Sequence, residues 1–312
     1  RVLSAVDELP LVSIITPAYN QGRFLAETIE SVLSQSYPRI EYLVLDDGST
    51  DDTPQVAASF GERIRYERHQ NMGQALTLNR GWEMSAGEYL GYLSSDDLLC
   101  EGAVDELAAV LREDSSCVCV FPDCDLIDEQ SRVVKQSVSR PFDLAQLVVD
   151  QECYIGPGAL FRRSAFERVG GWRSDLRLAP DREFWMRLAG EGTIRMLPRS
   201  LARYRIHAGA ISYKDTAPEV AREYLRVLDR YFELPDVPPS IRRRKDEAYG
   251  RAHLVVARNC FRAAQWKEGM SELRRAFELH PPLAGVQTGL KLARNVVSKP
   301  IRIAMAKVRR LL

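Results

Sequence analysis

No apolar run in these 312 residues approaches the roughly 18 residues that a membrane-spanning helix requires, which excludes a bilayer span of that kind from the sequence. The six cysteines (Cys100, Cys117, Cys119, Cys124, Cys153 and Cys260) form no CxxC pair, which removes the common zinc-ribbon and thioredoxin-type readings. Cys117 and Cys119 instead alternate inside the apolar run 117–121 and read as small core residues of a reducing compartment. No GxGxxG follows the first apolar strand, which argues against a dinucleotide-dependent oxidoreductase. A Gly-rich basic loop is missing there too. Residues 16–24 offer only Gly22 and Arg23, too little to hold a triphosphate, so a sugar-phosphate nucleotidyltransferase is disfavoured. The N-terminal residues lack a signal-peptide pattern, and a cytoplasmic location is expected.

What is present fits a globular chain long enough to bury a full core, with 45% hydrophobic and 28% charged residues. The net charge of zero conceals an asymmetry. Residues 1–214 carry 23 Lys and Arg against 32 Asp and Glu, a net of −9, and residues 215–312 carry 20 against 11, a net of +9. The acidic part can tolerate metal ions; the basic part can lie on anionic lipid, on an acidic partner, or be drawn to the acidic part itself. No nucleic-acid partner is expected.

Strand and helix patterns alternate along the first part. The run Leu11–Thr16 is rich in β-branched residues, and Phe24, Leu25, Ile29, Val32 and Leu33 then recur at helical spacing. Strands are expected at 40–46, 64–67 and 88–93, and helices at 53–60, 75–85 and 103–111. This alternation predicts an α/β domain with a mostly parallel sheet flanked by helices and ligands at the carboxyl ends of its strands. After Asp215 the pattern becomes amphipathic helix, with a stripe of Val220, Tyr224, Val227, Leu228 and Tyr231 broken at 234–239, then helices near 247–264 and 267–279. The expected division is 1–214 and a helical C-terminal region, 215–312.

Two strand ends carry paired acids: Asp46-Asp47-Gly48-Ser49-Thr50-Asp51 and, about fifty residues later, Ser94-Ser95-Asp96-Asp97. Carboxylates crowded at a sheet edge repel one another unless a cation or donor groups neutralise them, which points to a divalent ion carrying a phosphorylated ligand. Each pair also precedes a helix and could serve only as a cap. Thr16-Pro17-Ala18-Tyr19-Asn20 follows the first strand, Asn71-Met72-Gly73-Gln74 with Asn79 and Arg80 follows the third, and Ala179-Pro180-Asp181-Arg182-Glu183 opens another helix. Tyr204-Arg205-Ile206-His207, followed by Ser212, closes the series.

Together these motifs resemble the family 2 glycosyltransferases over roughly residues 10–214. The resemblance implies a GT-A fold and inverting, metal-dependent transfer of a sugar from a nucleoside diphosphate sugar, with UDP the commonest nucleotide, to an acceptor hydroxyl in bacterial surface polysaccharide or glycan assembly. It places Thr16, Pro17, Tyr19, Asn20, Asp46, Asp47, Asn71, Gly73, Asn79, Asp96 and Arg205 at the nucleotide sugar, Asp97 and His207 at Mn²⁺ or Mg²⁺ with Asp96 as a further candidate there, and Asp181 as catalytic base, with Glu183 as the alternative. Gly156 to Ala159 and Trp172 would border sugar and acceptor. Many relatives have an acid where this chain has Ser94, a departure that keeps open a catalytically silent nucleotide-sugar-binding scaffold. From Leu279 to Leu312 there is no acid, while Lys291, Arg294, Lys299, Arg302, Lys307, Arg309 and Arg310 alternate with apolar residues. Such a tail suits peripheral contact with the inner face of a cell membrane and a lipid-linked acceptor.

Overall fold

The computed structural model describes residues 8–207, 209, 217–290, 292 and 293. Ser212 and the basic residues 291, 294, 299, 302, 307, 309 and 310, with the membrane contact expected of that tail, lie outside the described residues. Backbone contacts divide the chain into two compact units. The first comprises 1–142, 154–174 and 187–206, and the second 143–153, 175–186 and 207–312. The division expected at residue 214 thus differs in detail, since two internal segments join the helical C-terminal part.

The first unit is a nine-stranded sheet: β1 (Val12–Ala18), β2 (Ile40–Asp46), β3 (Arg65–Arg68), β4 (Tyr89–Tyr92), β5 (Leu98–Leu99), β6 (Cys117–Ile127), β7 (Val133–Lys135), β8 (Leu160–Arg162) and β9 (Thr193–Arg205). Its order is β3-β2-β1-β4-β8-β6-β9-β5, with β7 paired to β6. Strands β3, β2, β1 and β4 run parallel, as the alternation predicts, whereas β8 pairs antiparallel with both β4 and β6. The interposed strand β8 has only three residues, too few for a periodic signal.

Helices α1 (Gly22–Leu33), α2 (Thr53–Ala58), α3 (Gln74–Met84), α4 (Ala103–Glu113) and α5 (Arg163–Val169) connect these strands. Helix α1 buries Phe24, Leu25, Ile29 and Val32, and Leu25, Ile29 and Val32 join Ile14, Val44, Leu107 and Leu111 in the main core. Each such side chain contributes about 1.5–3 kcal/mol by leaving water. Helix α3 comes so close to the sheet that a Cβ on Gly81 would sit 2.5 Å from Ile15 Cγ2.

In the second unit, helix α6 (Pro180–Leu188) begins, and α7 (Glu223–Glu233), α8 (Lys245–Arg262) and α9 (Trp266–Leu279) follow. Helices α8 and α9 form a hairpin, close enough that a Cβ on Gly269 would meet the Phe261 ring at 2.5 Å. A π-helical segment, Gln146–Asp150, buries Leu147, Val148 and Val149. Among the described residues no helix is long and apolar enough to cross a membrane.

Candidate functional site

Register brings the motifs of the first unit to one sheet edge. Ala18 pairs with Asp46, and Ile15 pairs with Tyr92, so the carboxyl ends of β1, β2 and β4 lie side by side. The Asp47 N–H donates to Ala18 O at 2.8 Å and the Leu93 N–H to Ile15 O at 3.0 Å, extending the pairing into the loops. Separate stretches of sequence therefore converge because parallel strands all release their chain in one direction.

The first acidic pair is spent largely inside the protein. Asp46 is fully buried; one oxygen accepts the Ser49 N–H at 2.8 Å and the other the Tyr66 hydroxyl at 3.0 Å. Burial, reinforced by that bond, pushes the Tyr66 hydroxyl up to about 12. Asp47 accepts the N–H groups of Met72 at 2.6 Å and Gly73 at 2.9 Å, while Asn71 Nδ2 donates to Asp47 O at 3.0 Å. The loop 71–73 thus rests on Asp47, and Gly48, at φ 76°, allows it: a Cβ there would lie 2.9 Å from Asn71 N. Nucleoside contact through Asp46, expected from sequence, does not fit this buried position. For Asp47, Asn71 and Gly73 the expectation becomes narrower, since their polar groups already hold one another.

The second pair is turned two ways. Asp96 is half-buried, whereas Asp97 is 3% exposed, with Oδ1 accepting the Arg205 N–H at 2.9 Å. Burial, with the charge of Asp96 beside it, holds the Asp97 carboxyl well above the usual carboxylate range. The expected assignment of the metal to Asp97 is corrected by this geometry, because a hard cation needs a carboxylate it can reach. Arg205 is corrected as well. Its fully buried guanidinium donates to Asp96 O at 2.7 Å, Asp128 O at 3.1 Å, Ser131 Oγ at 2.9 Å and Glu27 at 2.7 Å, so it braces the acidic loop from behind instead of facing a diphosphate.

A test of this arrangement follows from the sign of the Asp97 shift. The folded state holds the Asp97 proton to higher pH than the unfolded chain, so stability from this group is greatest in acid and declines as pH rises above the unfolded carboxyl value. Asp97→Asn, which can still accept the Arg205 N–H, is expected to remove that decline. Asp97→Ala is expected to cost about 1–3 kcal/mol at every pH by leaving the donor unpaired. Urea unfolding of both variants at a series of pH values checks this; equal stability of the two variants would contradict it.

The remaining residues divide between surface and interior. Tyr19 is 49% exposed and offers a ring face, as expected. Asn20, at φ 52°, accepts the Thr50 N–H at 2.8 Å and ties the loops after β1 and β2 together. Thr16 is fully buried on the Tyr42 hydroxyl at 3.0 Å, and Pro17 is buried within β1, so the side chains of both are turned into the protein. Asn79 is likewise corrected: its amide donates to Trp172 O and accepts the Trp172 N–H, both at 2.8 Å. That pair fixes the elbow at Trp172, whose ring meets Tyr92 edge-on at 5.1 Å and whose Nε1 is buried without a hydrogen-bond partner. Pro157, Gly158 and Ala159 are buried, leaving Gly156 as the half-buried member of its group.

In the second unit, Asp181 stands in the first turn of α6, half-buried. Burial pushes its carboxyl upward, opposed by the Arg182 N–H and the Arg182 charge. Glu183, the alternative base, is 4% exposed. Sequence reasoning missed Glu223, which is 3% exposed and accepts the N–H groups of Arg177 at 2.8 Å, Leu178 at 2.7 Å and Ala179 at 3.2 Å. It holds the chain that leads into Asp181. The available signal was an acid on the apolar stripe of the predicted helix, one turn after Val220. His207 is 8% exposed, and its Nδ1 accepts the Gly209 N–H at 3.2 Å.

Among the described residues no three His, Cys, Asp or Glu side chains converge as a metal site. The donor set nevertheless suits an ion that a phosphorylated ligand brings with it, since Mg²⁺ or Mn²⁺ needs only one or two carboxylates beside phosphate oxygens and water. Asp96, half-buried with its main chain fixed by Arg205, meets that requirement.

Comparison with known proteins agrees with the fold and the motifs. An uncharacterized glycosyltransferase of Rickettsia prowazekii is 29% identical over 222 residues, 69% of each chain. Chondroitin synthase of Escherichia coli is 26% identical over 215 residues, 68% of this chain but 31% of that protein. A mannosyltransferase from Pyrobaculum calidifontis, solved with GDP-Man and Mn²⁺, superposes with a TM-score of 0.60 over 99% of this chain and 89% of that one, at 21% identity, a likeness of fold. The model for glycosyl transferase family 2 matches residues 13–170, half of the chain. With the GT-A arrangement of strands, the loops gathered at its edge and this match, the chain belongs to glycosyl transferase family 2.

Proposed function

We propose that this glycosyltransferase moves a sugar, with inversion, from a nucleoside diphosphate sugar to an acceptor hydroxyl on a glycan or lipid-linked carrier, in the assembly of a surface polysaccharide. The observation that carries this reading is the side-by-side exit of β1, β2 and β4, which gathers the 16–20, 46–51 and 94–97 segments at one edge. Tyr19 supplies a face for a nucleotide base, and Asp47 with the 71–73 loop frames it. Asp96 holds the divalent ion. When bound, that ion offsets the charge on the departing diphosphate. Asp181 takes the proton from the acceptor hydroxyl, and Glu223 positions it by holding residues 177–179. A UDP-sugar is the first donor to test, and the mannosyltransferase likeness adds GDP-sugars.

The test is a calorimetric panel of UDP, dTDP and GDP sugars with and without Mn²⁺, followed by product analysis with the best donor. One nucleotide is expected to bind at least about tenfold more tightly with Mn²⁺, and the product linkage to have the anomeric configuration opposite to the donor's. Retention of configuration would defeat the inverting mechanism, and donor binding with neither transfer nor hydrolysis would favour a silent scaffold.

A further inference from the structure

Arg244 caps the N-terminus of helix α8, and Arg251 and Arg258 follow within it, each seven residues from the last and hence on one face. The first two are matched by acids. Arg244 Nε lies 2.9 Å from Glu247, Arg251 Nη2 2.9 Å from Glu247 and Arg251 Nε 3.4 Å from Asp150. These guanidinium groups draw the Glu247 carboxyl down to about 2. Arg258 continues the row into different surroundings. The residue is half-buried, and its Nε is closed off from solvent with no hydrogen-bond partner among the described residues. Burial lowers the Arg258 guanidinium from its ordinary value, opposite to Arg244 and Arg230, which carboxylates raise.

More cations border the same place. Arg262, one turn further on, is brought down to about 10 by burial and by the charge of Arg258. Tyr224 of α7 lies within electrostatic reach of Arg258, and the Arg182 guanidinium stacks 4.9 Å over the Tyr224 ring. Arg182 is itself fixed by the Leu147 carbonyl at 2.7 Å and follows Asp181 in the chain. A guanidinium withdrawn from solvent at Nε, with no counter-charge among the described residues, is costly to keep. Its planar fork of N–H donors suits a phosphate or carboxylate.

We propose that Arg258, with Arg262 and Tyr224, binds an oxyanion, a phosphate or carboxylate group carried by the acceptor. Assignment to the acceptor rests on the glycosyl-transfer reading, because Tyr224 lies against Arg182, the chain neighbour of the proposed base; the anion site itself does not.

The first arm of the test is thermal unfolding of the full chain with and without inorganic phosphate, for wild type, Arg258→Met and Arg258→Lys. Phosphate is expected to raise the wild-type midpoint, to leave Arg258→Met unmoved and to raise Arg258→Lys in part. Without phosphate, Arg258→Met is expected to melt above wild type. An equal phosphate response in Met and wild type would overturn the site, as would equal destabilisation of both variants without phosphate, which marks a structural contact. If the Met variant does not fold, a Lys variant whose phosphate response is smaller than that of wild type supports the site when its phosphate-free midpoint is that of wild type, and a full wild-type response overturns it.

The second arm compares acceptor glycans with and without an anionic group. Arg258→Met is expected to raise KM for the anionic acceptor roughly tenfold, with the KM for donor unchanged. Loss of binding to phosphatidylglycerol vesicles with no change in acceptor KM would assign the anion to lipid and overturn the acceptor claim. Loss of the phosphate response in Arg258→Met together with absence of transfer from any donor would support the anion site and defeat the transfer reading instead.

Discussion

Asp181→Asn is expected to lower kcat by about 10³-fold, within the range that a positioned general base supplies, while donor affinity stays within about twofold. Asparagine keeps the shape of the side chain and its place in the first turn of α6, so the loss isolates proton transfer from folding. The pH profile gives a second reading. The base works ionised, and burial raises the carboxyl above the ordinary aspartate value. Wild-type kcat/KM should therefore fall as pH drops through that raised value, and the variant should lack this acid limb. Steady-state kinetics across pH with the donor from the binding panel checks both. Turnover near wild type would remove Asp181 as base, and buried Glu183 would then be the next residue to replace.

Asp96→Ala is expected to lower kcat with Mn²⁺ on the order of a hundredfold, the effect of losing several kcal/mol of charge stabilisation on the leaving diphosphate. The main chain at Asp96 is held by Arg205 through its carbonyl, so removing the side chain should leave the loop in place. Chelation of the wild-type enzyme should reproduce the loss, and the variant should respond little to chelator. Full activity of chelator-treated wild type, or Mn²⁺-dependent donor binding retained in the variant, would sink the assignment. Pairing this variant with Asp97→Asn separates the two neighbouring acids, one at the ligand edge and the other interior.

Much of the architecture was legible because local pattern and fold agree. Ile40–Asp46 is a strand over its expected range, and the helix expected at 75–85 spans Gln74–Met84. In both, apolar residues recur at the period that buries one face or both. The short strand β8, with three residues, and the segment 143–153, which joins the second unit, gave no such signal. The motifs showed where acids gather, but a motif does not say which way a side chain turns. Asp96 and Asp97 are adjacent and chemically identical, and the turn closed by the Asp97 N–H on Ser94 O buries Asp97 against the Arg205 N–H while Asp96 stays half-buried.

By itself, the sequence determined the alternating strands and helices, the family and the edge of the sheet on which the acidic motifs gather. Apolar periodicity and acidic strand ends are local properties, set within about ten residues of one another. Only the tertiary structure decided which polar groups are already satisfied. It committed Arg205 to Glu27 and the Asp96 carbonyl, Asn79 to Trp172, Asp47 to the 71–73 loop and Glu223 to the chain before Asp181. It also left Arg258 Nε with none among the described residues. The reason is that a buried donor or acceptor must find its partner wherever folding brings one, and here those partners lie from 24 to 178 residues away along the chain.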